Sequence, residues 1–100
     1  MNINVITEND NVVIKLNGWL DTASSPELGA EIDKITEARS IYLDFDQVEY
    51  IASSGVRQIV YCHRKAKELG AEFSVINVCS EIMSILQLTG IDKKIDIQAK

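Results

Sequence analysis

Two adjacent serines, Ser53 and Ser54, lie where a strand-like run gives way to a helical one, and Gly55 follows them. A serine at such a turn could cap the helix, act as a nucleophile, or receive a phosphate from another protein. Capping is a common role for serine and stabilises a helix by about 1 kcal/mol. A cap needs only one serine, so the pair leaves the other two roles open.

A nucleophilic serine requires a base, and His63 is the single histidine of the chain. A helix rises about 1.5 Å per residue, which places His63 roughly 13 Å beyond Ser54 along the helix axis. His63 therefore cannot act as the base of Ser54. A phosphate at Ser54 would be tolerated, because the N-terminus of a helix offers free N–H groups and a partial positive charge.

No group of side chains predicts a metal or cofactor site. Asp44, Asp46 and Glu49 lie close together in sequence, but no phosphate-cradling glycine loop accompanies them. Cys62 and Cys79 lack the spacing of zinc ligands and are expected to be reduced. We therefore expect no metal, no cofactor and no enzymatic activity.

The composition predicts one globular domain, residues 1–100, with 46% hydrophobic and 25% charged residues. The net charge of −5 and the absence of a basic stripe argue against nucleic acid as a partner. No apolar run approaches the roughly 20 residues of a membrane span, and the first residues lack the features of a signal peptide. These observations predict a cytoplasmic protein without membrane insertion.

The hydrophobic pattern predicts that two strands, "INVI" and "NVVIKLNG", open the chain and pair through an acidic turn, "TENDN". Gly18 is expected to end the second strand. The next segment predicts a helix, because Ser24 or Ser25 can cap it and Pro26 suits its first turn. Glu27 would complete a capping box with Ser24.

Alternating strands and helices follow along the rest of the chain. "SIYLDF" predicts a strand with Ile41, Leu43 and Phe45 on one face, and a short acidic link is expected after it. After the link, "VRQIVYCHRKAKEL" predicts a helix capped by Ser53 or Ser54 and ended by Gly70. "AEFSVINV" predicts another strand. "SEIMSILQLTG" predicts a helix capped by Ser80 in front and Gly90 behind, and the tail predicts a short edge strand. The predicted fold is therefore α/β, with a mixed and mostly parallel sheet, an N-terminal hairpin and helices packed on it.

Side chains that could bind a partner are expected at one rim of this sheet, where parallel strands end. "GWLD" and "ASSG" each follow such a strand, so Asp21 and Ser54 should share that rim. Trp19 could anchor an interface or be partly buried, and Asp21 could be an ordinary turn residue. Arg57 and Tyr61 lie on the polar face of the predicted helix, which is either solvated or a docking surface.

The runs "GWLDTASSPEL", "IYLDFDQVEYIASSGVRQIV", "FSVINV" and "LQLTGI" resemble the STAS domain, from about Asn4 to Ile97. More narrowly, the chain resembles the free-standing bacterial anti-sigma factor antagonists. The resemblance implies that a partner anti-sigma factor, a serine kinase with a histidine-kinase-like ATPase fold, phosphorylates Ser54, with Ser53 as the second choice. It also implies that Asp21 lies near Ser54, that phosphorylation breaks the complex with the kinase, and that a serine phosphatase restores it.

One position departs from the family pattern, because Ala52 stands where these antagonists commonly carry an acidic residue. The loss of that charge bears on recognition by the kinase rather than on the fold. The predicted partner-binding residues are Trp19, Asp21, Ala52, Ser53, Gly55, Val56, Arg57 and Tyr61. Alternatives are a STAS accessory subunit of a lipid-transport ABC complex, or a stress-signalling scaffold, neither with a phosphorylation cycle.

Overall fold

The computed structural model describes residues 1–100 as one five-stranded sheet with three α-helices. The strands follow one another across the sheet in chain order; the first pair is antiparallel and the other three pairs are parallel. The predicted α/β fold with a mixed sheet and an N-terminal hairpin is confirmed. The elements are β1 (Asn2–Glu8), β2 (Asn11–Leu20), α1 (Ser25–Asp33), β3 (Ser40–Ile51), α2 (Ser53–Glu68), β4 (Glu72–Val78), α3 (Ser80–Thr89), a 3-10 turn (Ile91–Lys93) and β5 (Asp96–Ala99).

The opening hairpin is closed by a two-residue turn. Asn9 and Asp10 both have positive φ angles, 53° and 67°, as a type I′ turn requires. The pairing of β1 with β2 runs without a register shift from Glu8 opposite Asn11 to Asn2 opposite Asn17. The predicted turn in this acidic segment is therefore confirmed, and its asparagine and aspartate supply the left-handed backbone.

A helix connects each parallel strand to the next. Because such crossovers are almost always right-handed, strands in chain order place all three helices on one face of the sheet. The core lies between that face and the helices and contains 20 buried hydrophobic residues. Its centre is formed by Ile14, Leu43 and Val75 from adjacent strands with Leu28, Ile32, Ile59, Cys62, Ala66, Ile82 and Leu86 from the helices. None of the helices has both the length and the apolar character needed to cross a bilayer.

Two predicted strand ends are wrong. Gly18 does not end β2, which continues to Leu20 through a register shift next to Gly18, where φ is 113°. The acidic link expected after "SIYLDF" is instead the second half of β3. Val48 and Ile51 are buried there and pair with Gly18 and Leu20. Buried apolar side chains thus extend both strands past residues that usually end a strand.

The predicted helix caps are also partly wrong. The N-cap of α2 is Ala52, so Ser53 and Ser54 are its first two helical residues rather than its caps. Likewise Cys79, not Ser80, is the N-cap of α3. Ser24 is the N-cap of α1, but the expected capping box does not form.

The ends of α2 and α3 follow the prediction. Gly70 follows Leu69, the C-cap residue of α2, and Gly90 is the C-cap residue of α3; their φ angles are 71° and 80°. A left-handed residue at this position is typical of helix C-termini, and glycine adopts it without steric cost.

Candidate functional site

The turn that follows β2 and the first turn of α2 meet at one rim of the sheet, as the sequence predicted. Leu20 and Ile51, the last residues of β2 and β3, are paired, and the Ala52 N–H donates a hydrogen bond of 2.9 Å to the Leu20 carbonyl oxygen. Beyond this bond the Thr22 and Ser54 hydroxyl groups are 3.2 Å apart and hydrogen-bonded. The rim thus joins residues 32 positions apart in the chain.

Gly55 allows this close approach. A Cβ atom added at Gly55 would lie 2.6 Å from the Leu20 carbonyl oxygen and 2.8 Å from Cγ1 of Ile51. Both distances are below any ordinary van der Waals contact, and one of the two atoms belongs to the backbone. The first turn of α2 can therefore pack against the end of β2 only if residue 55 has no side chain.

The first turn of α2 has no side-chain cap. The Ala52 carbonyl oxygen accepts the N–H groups of Gly55, at 2.9 Å, and Val56, at 3.1 Å. The N–H groups of Ser53 and Ser54 precede these and have no acceptor within the helix, as is general at helix N-termini. No acidic residue occupies this turn, so the partial positive charge of the helix end is not neutralised within it. Ser53 is exposed and Ser54 is half-buried.

Asp21 organises the turn that leads into α1. Its Oδ1 atom accepts the N–H groups of Ser24, at 3.0 Å, and Ala23, at 3.1 Å. The Ser24 hydroxyl accepts the Asp21 N–H at 2.9 Å and donates to the Trp19 carbonyl oxygen at 2.6 Å. The hydrogen bonds from Ser24 lower the pKa of the Asp21 carboxyl group, which favours its ionised form.

The hydrogen bonds of Asp21 therefore go to its own turn, and the residue that touches Ser54 is the next one, Thr22. The sequence reasoning did not select Thr22. Its position in the loop directly after "GWLD", on the rim assigned to Ser54, was the signal that could have identified it.

Trp19 is exposed rather than partly buried at the core edge. Its side chain is 57% exposed and packs beside Tyr50, which is 46% exposed, with ring centroids 5.3 Å apart. The two residues are cross-strand partners near the ends of β2 and β3. Tyr50 was not predicted to be part of the site, although it directly precedes the "IASSG" turn.

The remaining predicted residues lie along α2. Arg57 is exposed, and Val56 is half-buried against the core. Tyr61 is 38% exposed, and its hydroxyl donates a 2.5 Å hydrogen bond to Asp33, which raises the pKa of Tyr61. Tyr61 therefore links α2 to the end of α1 while its side chain stays partly exposed.

Two of the three carboxylates considered as metal ligands in the sequence, Asp44 and Asp46, have protein partners. Asp44 accepts a hydrogen bond of 3.0 Å from the side-chain amide of Asn77. Asp46 lies 3.2 Å from the ammonium group of Lys100, and hydrogen bonds from Gln47 and Lys100 lower its pKa. No three His, Cys, Asp or Glu side chains form a group that could hold a metal ion.

The two cysteines are free thiols. Cys62 is fully buried in the core, and burial raises its pKa to about 12. Such a thiol remains protonated at neutral pH and is a poor nucleophile.

These features define a small α/β domain whose candidate functional rim carries a serine at an uncapped helix N-terminus. The family model for the STAS domain matches residues 2–100, and the chain belongs to this family. The predicted resemblance to anti-sigma factor antagonists is also confirmed. The anti-sigma-B factor antagonist of Bacillus subtilis (strain 168) is 27% identical over 103 residues, a match that covers 100% of this chain and 94% of that protein.

Solved structures agree on the fold. An anti-sigma-factor antagonist (STAS) domain protein from Planctomyces limnophilus superposes with a TM-score of 0.82 at 20% identity, covering 98% of this chain and 90% of that one. The anti-sigma factor antagonist SpoIIAA in its unphosphorylated form gives a TM-score of 0.76 at 17% identity, covering 99% of this chain and 88% of that one.

We predict that Gly55→Ala destabilises the protein by about 1–3 kcal/mol, because the new methyl group must displace the Leu20 carbonyl or the first turn of α2. Urea unfolding followed by circular dichroism measures this change. Gly29→Ala is the matched control, since its methyl group would meet only the flexible Gln58 amide at 3.2 Å. Equal or greater stability of Gly55→Ala would contradict a tight contact at the rim.

The Asp21 carboxylate should stabilise the fold in a pH-dependent way. Its pKa in the folded protein is below the unfolded value of about 3.9, so its contribution is complete above that pH and is lost as the pH falls through the folded pKa. We expect Asp21→Ala to lower the melting temperature at pH 7, and the difference from wild type to shrink below about pH 4.

Thermal unfolding between pH 7 and pH 2.5 tests this expectation. Asp92→Ala is the control, because it removes an exposed carboxylate that makes no hydrogen bond. A difference between Asp21→Ala and wild type that stays constant over this pH range would show that the charge of Asp21 does not stabilise the turn.

Proposed function

We propose that this protein is a non-catalytic, cytoplasmic anti-sigma factor antagonist that is switched by phosphorylation of Ser54. The position of Ser54 carries the proposal: it is the second residue of α2, at the rim where β2 and β3 end, with its hydroxyl bonded only to Thr22. The names of the curated relatives support the antagonist function. SpoIIAA, which shares the fold at a TM-score of 0.74, has been solved in a phosphorylated form.

The partner is inferred to be an anti-sigma factor that is a serine kinase with a histidine-kinase-like ATPase fold. In the reaction the Ser54 oxygen attacks the γ-phosphorus of ATP held by the kinase. The new O–P bond forms while the bond from that phosphorus to the leaving ADP oxygen breaks, and the hydroxyl proton passes to a base of the kinase. This chain supplies only the acceptor hydroxyl, consistent with the position of its single histidine far along α2.

The position of Ser54 also explains how the fold would tolerate a phosphoserine there. A phosphoserine brings roughly −1.5 to −2 charges and three acceptor oxygens. The unpaired N–H groups of the first turn and the partial positive charge of α2 can accommodate these charges. The phosphate would replace the Ser54–Thr22 hydrogen bond, which is exposed and therefore worth little.

The proposed docking surface surrounds Ser54 and consists of Trp19, Asp21, Ala52, Ser53, Gly55, Val56, Arg57 and Tyr61. Gly55 contributes by bringing the helix against β2, and Asp21 by ordering its turn, whereas Trp19 and Arg57 offer exposed side chains. A dianion in the middle of this surface would be desolvated on binding, which opposes re-association with the kinase. A serine phosphatase would remove it and complete the cycle.

We predict that Ser54→Ala abolishes phosphorylation, whereas Ser53→Ala retains it. The two serines are adjacent in the first turn of α2, so the effect of either substitution on the helix itself should be similar and each variant serves as the control for the other. The measurement is incorporation of label from radiolabelled ATP by the cognate anti-sigma factor kinase, followed by mass spectrometry of the modified peptide. Labelling of Ser54→Ala at the wild-type rate would overturn the assignment of the phosphoacceptor.

We also predict that Ser54→Asp keeps the melting temperature within a few degrees of wild type but weakens binding to the kinase about tenfold or more. A negative charge is favourable at the second position of a helix and unfavourable in a buried interface. Ser54→Asn has nearly the same shape without the charge and is the matched control. Calorimetric titration gives the affinities, and equal binding of both variants would mean that charge does not operate the switch.

A further inference from the structure

The edge of the sheet formed by β1 is unusually open for an edge strand. β1 has seven residues, whereas β5, at the other edge, has four. Proteins commonly protect long edges with lysine, proline or a bulge. β1 contains none of these; its register with β2 is regular, and its one charged residue is Glu8 at the end.

The side chains of β1 favour pairing with a further strand. Ile3, Val5, Ile6 and Thr7 are β-branched, the class enriched in strands. Val5 and Ile6 are 37% and 41% exposed although both are large and apolar. On the helix side, Val5 and Thr7 line a shallow groove with Ile35, just beyond the end of α1. The exposed apolar surface thus lies along the edge itself.

The hairpin turn determines which backbone groups are free. In a two-residue hairpin the residues that flank the turn, here Glu8 and Asn11, form a hydrogen-bonded pair, and every second pair repeats this arrangement. The backbone groups of the even-numbered residues of β1 therefore point toward β2. Those of Ile3, Val5 and Thr7 point away from the sheet, with both the N–H and the carbonyl of each residue unpaired.

We propose that β1 pairs with β1 of a second copy of this chain, so that two sheets join into one continuous ten-stranded sheet. A two-fold axis perpendicular to the sheet at Val5 places Val5 opposite Val5 and Ile3 opposite Thr7. These are the residues whose backbone groups point outward, and this register forms about six hydrogen bonds. Because the two-fold axis is perpendicular to the sheet, the helices of both copies lie on the same face of the joined sheet.

The side-chain pairs in this register are compatible. On the open face Ile6 lies opposite Asn4, and Glu8 lies opposite Asn2, so no like charges face each other across the interface. In a second copy, β1 supplies a hydrogen-bond partner for every outward-pointing backbone group of the first β1, and the reverse also holds, as an isologous interface requires. Any antiparallel strand would offer the same backbone groups, but a second copy also supplies the compatible side-chain pairs given above.

The interface is separate from the candidate functional rim. α2, which carries Ser54, packs on β3 and β4, whereas β1 contacts β2 and the end of α1. Two copies joined through β1 would therefore each present an accessible Ser54. The proposal does not depend on the proposed function, and a dimer could bind two kinase molecules.

Sedimentation equilibrium over a range of protein concentrations tests the proposal. Wild type should approach twice the chain mass of 11.1 kDa as the concentration rises. Val5→Lys places two ammonium groups opposite each other at the two-fold axis and should raise the dissociation constant about tenfold or more. Ile85→Lys is the matched control, because Ile85 is 38% exposed, almost the same as Val5, but lies on α3. It should leave the dimer intact.

Amide hydrogen exchange of the wild-type protein tests the register without any substitution. Raising the concentration should slow exchange at Ile3, Val5 and Thr7, whose N–H groups point outward. It should not change exchange at Asn4 and Ile6, which are already bonded to β2. A monomer at all concentrations, a dimer unaffected by Val5→Lys, or a monomer whose β1 binds a strand of another protein would each overturn the proposal.

Discussion

The close contact between the first turn of α2 and the end of β2 is the constraint on which the candidate functional rim depends. Gly55 has no side chain, and this lets the helix approach the Leu20 carbonyl oxygen more closely than any other residue would allow. The Ala52 N–H group bonds to the same oxygen. One carbonyl group therefore sets the position of both β3 and α2 relative to β2, and the hydroxyl groups of Thr22 and Ser54 meet as a consequence.

The order of strands explains why the rim and the sheet edge have separate roles. Because the strands lie in chain order and all crossovers have one hand, the helices cover one face and the ends of β2 and β3 are neighbours. The N-terminal hairpin adds β1 outside this parallel unit, so its outer backbone groups lack a neighbour. The parallel strands and their helices thus hold the residues proposed to respond to phosphorylation, whereas the unpaired edge belongs to β1, which lies outside them.

Much of this arrangement could be predicted from the sequence, because it depends on local patterns. Alternating apolar residues predicted β2, helical spacing predicted α2, and the glycines at positions 70 and 90 predicted the ends of α2 and α3. The acidic segment "TENDN" predicted the hairpin turn. The errors arose where tertiary packing overrode local preference. Gly18 remains within a strand because its neighbours pair with β3, and the acidic second half of β3 is a strand because Val48 and Ile51 are buried.

The candidate site was predicted less completely, for the same reason. Adjacency of the two rim turns follows from parallel topology, so Asp21 and Ser54 could be assigned to one rim. The contact made by Thr22 and the pairing of Trp19 with Tyr50 depend on the register shifts in β2. Those shifts have no sequence signal beyond a single glycine, and a side-chain contact cannot be deduced without the register.

The uncapped start of α2 links stability to the proposed switch. A side-chain cap would stabilise the helix by accepting the N–H groups of its first turn. The same N–H groups are those a phosphate on Ser54 would use, so a cap and a phosphate would compete. Here the contact of Gly55 with β2 holds the helix in place, and Ala52 contributes no acceptor. An acidic side chain at position 52, as anti-sigma factor antagonists commonly carry, would add a negative charge beside the proposed phosphoacceptor. Ala52 adds none, so packing against β2 rather than a side-chain cap holds the first turn of α2, and its N–H groups remain available to a phosphate on Ser54.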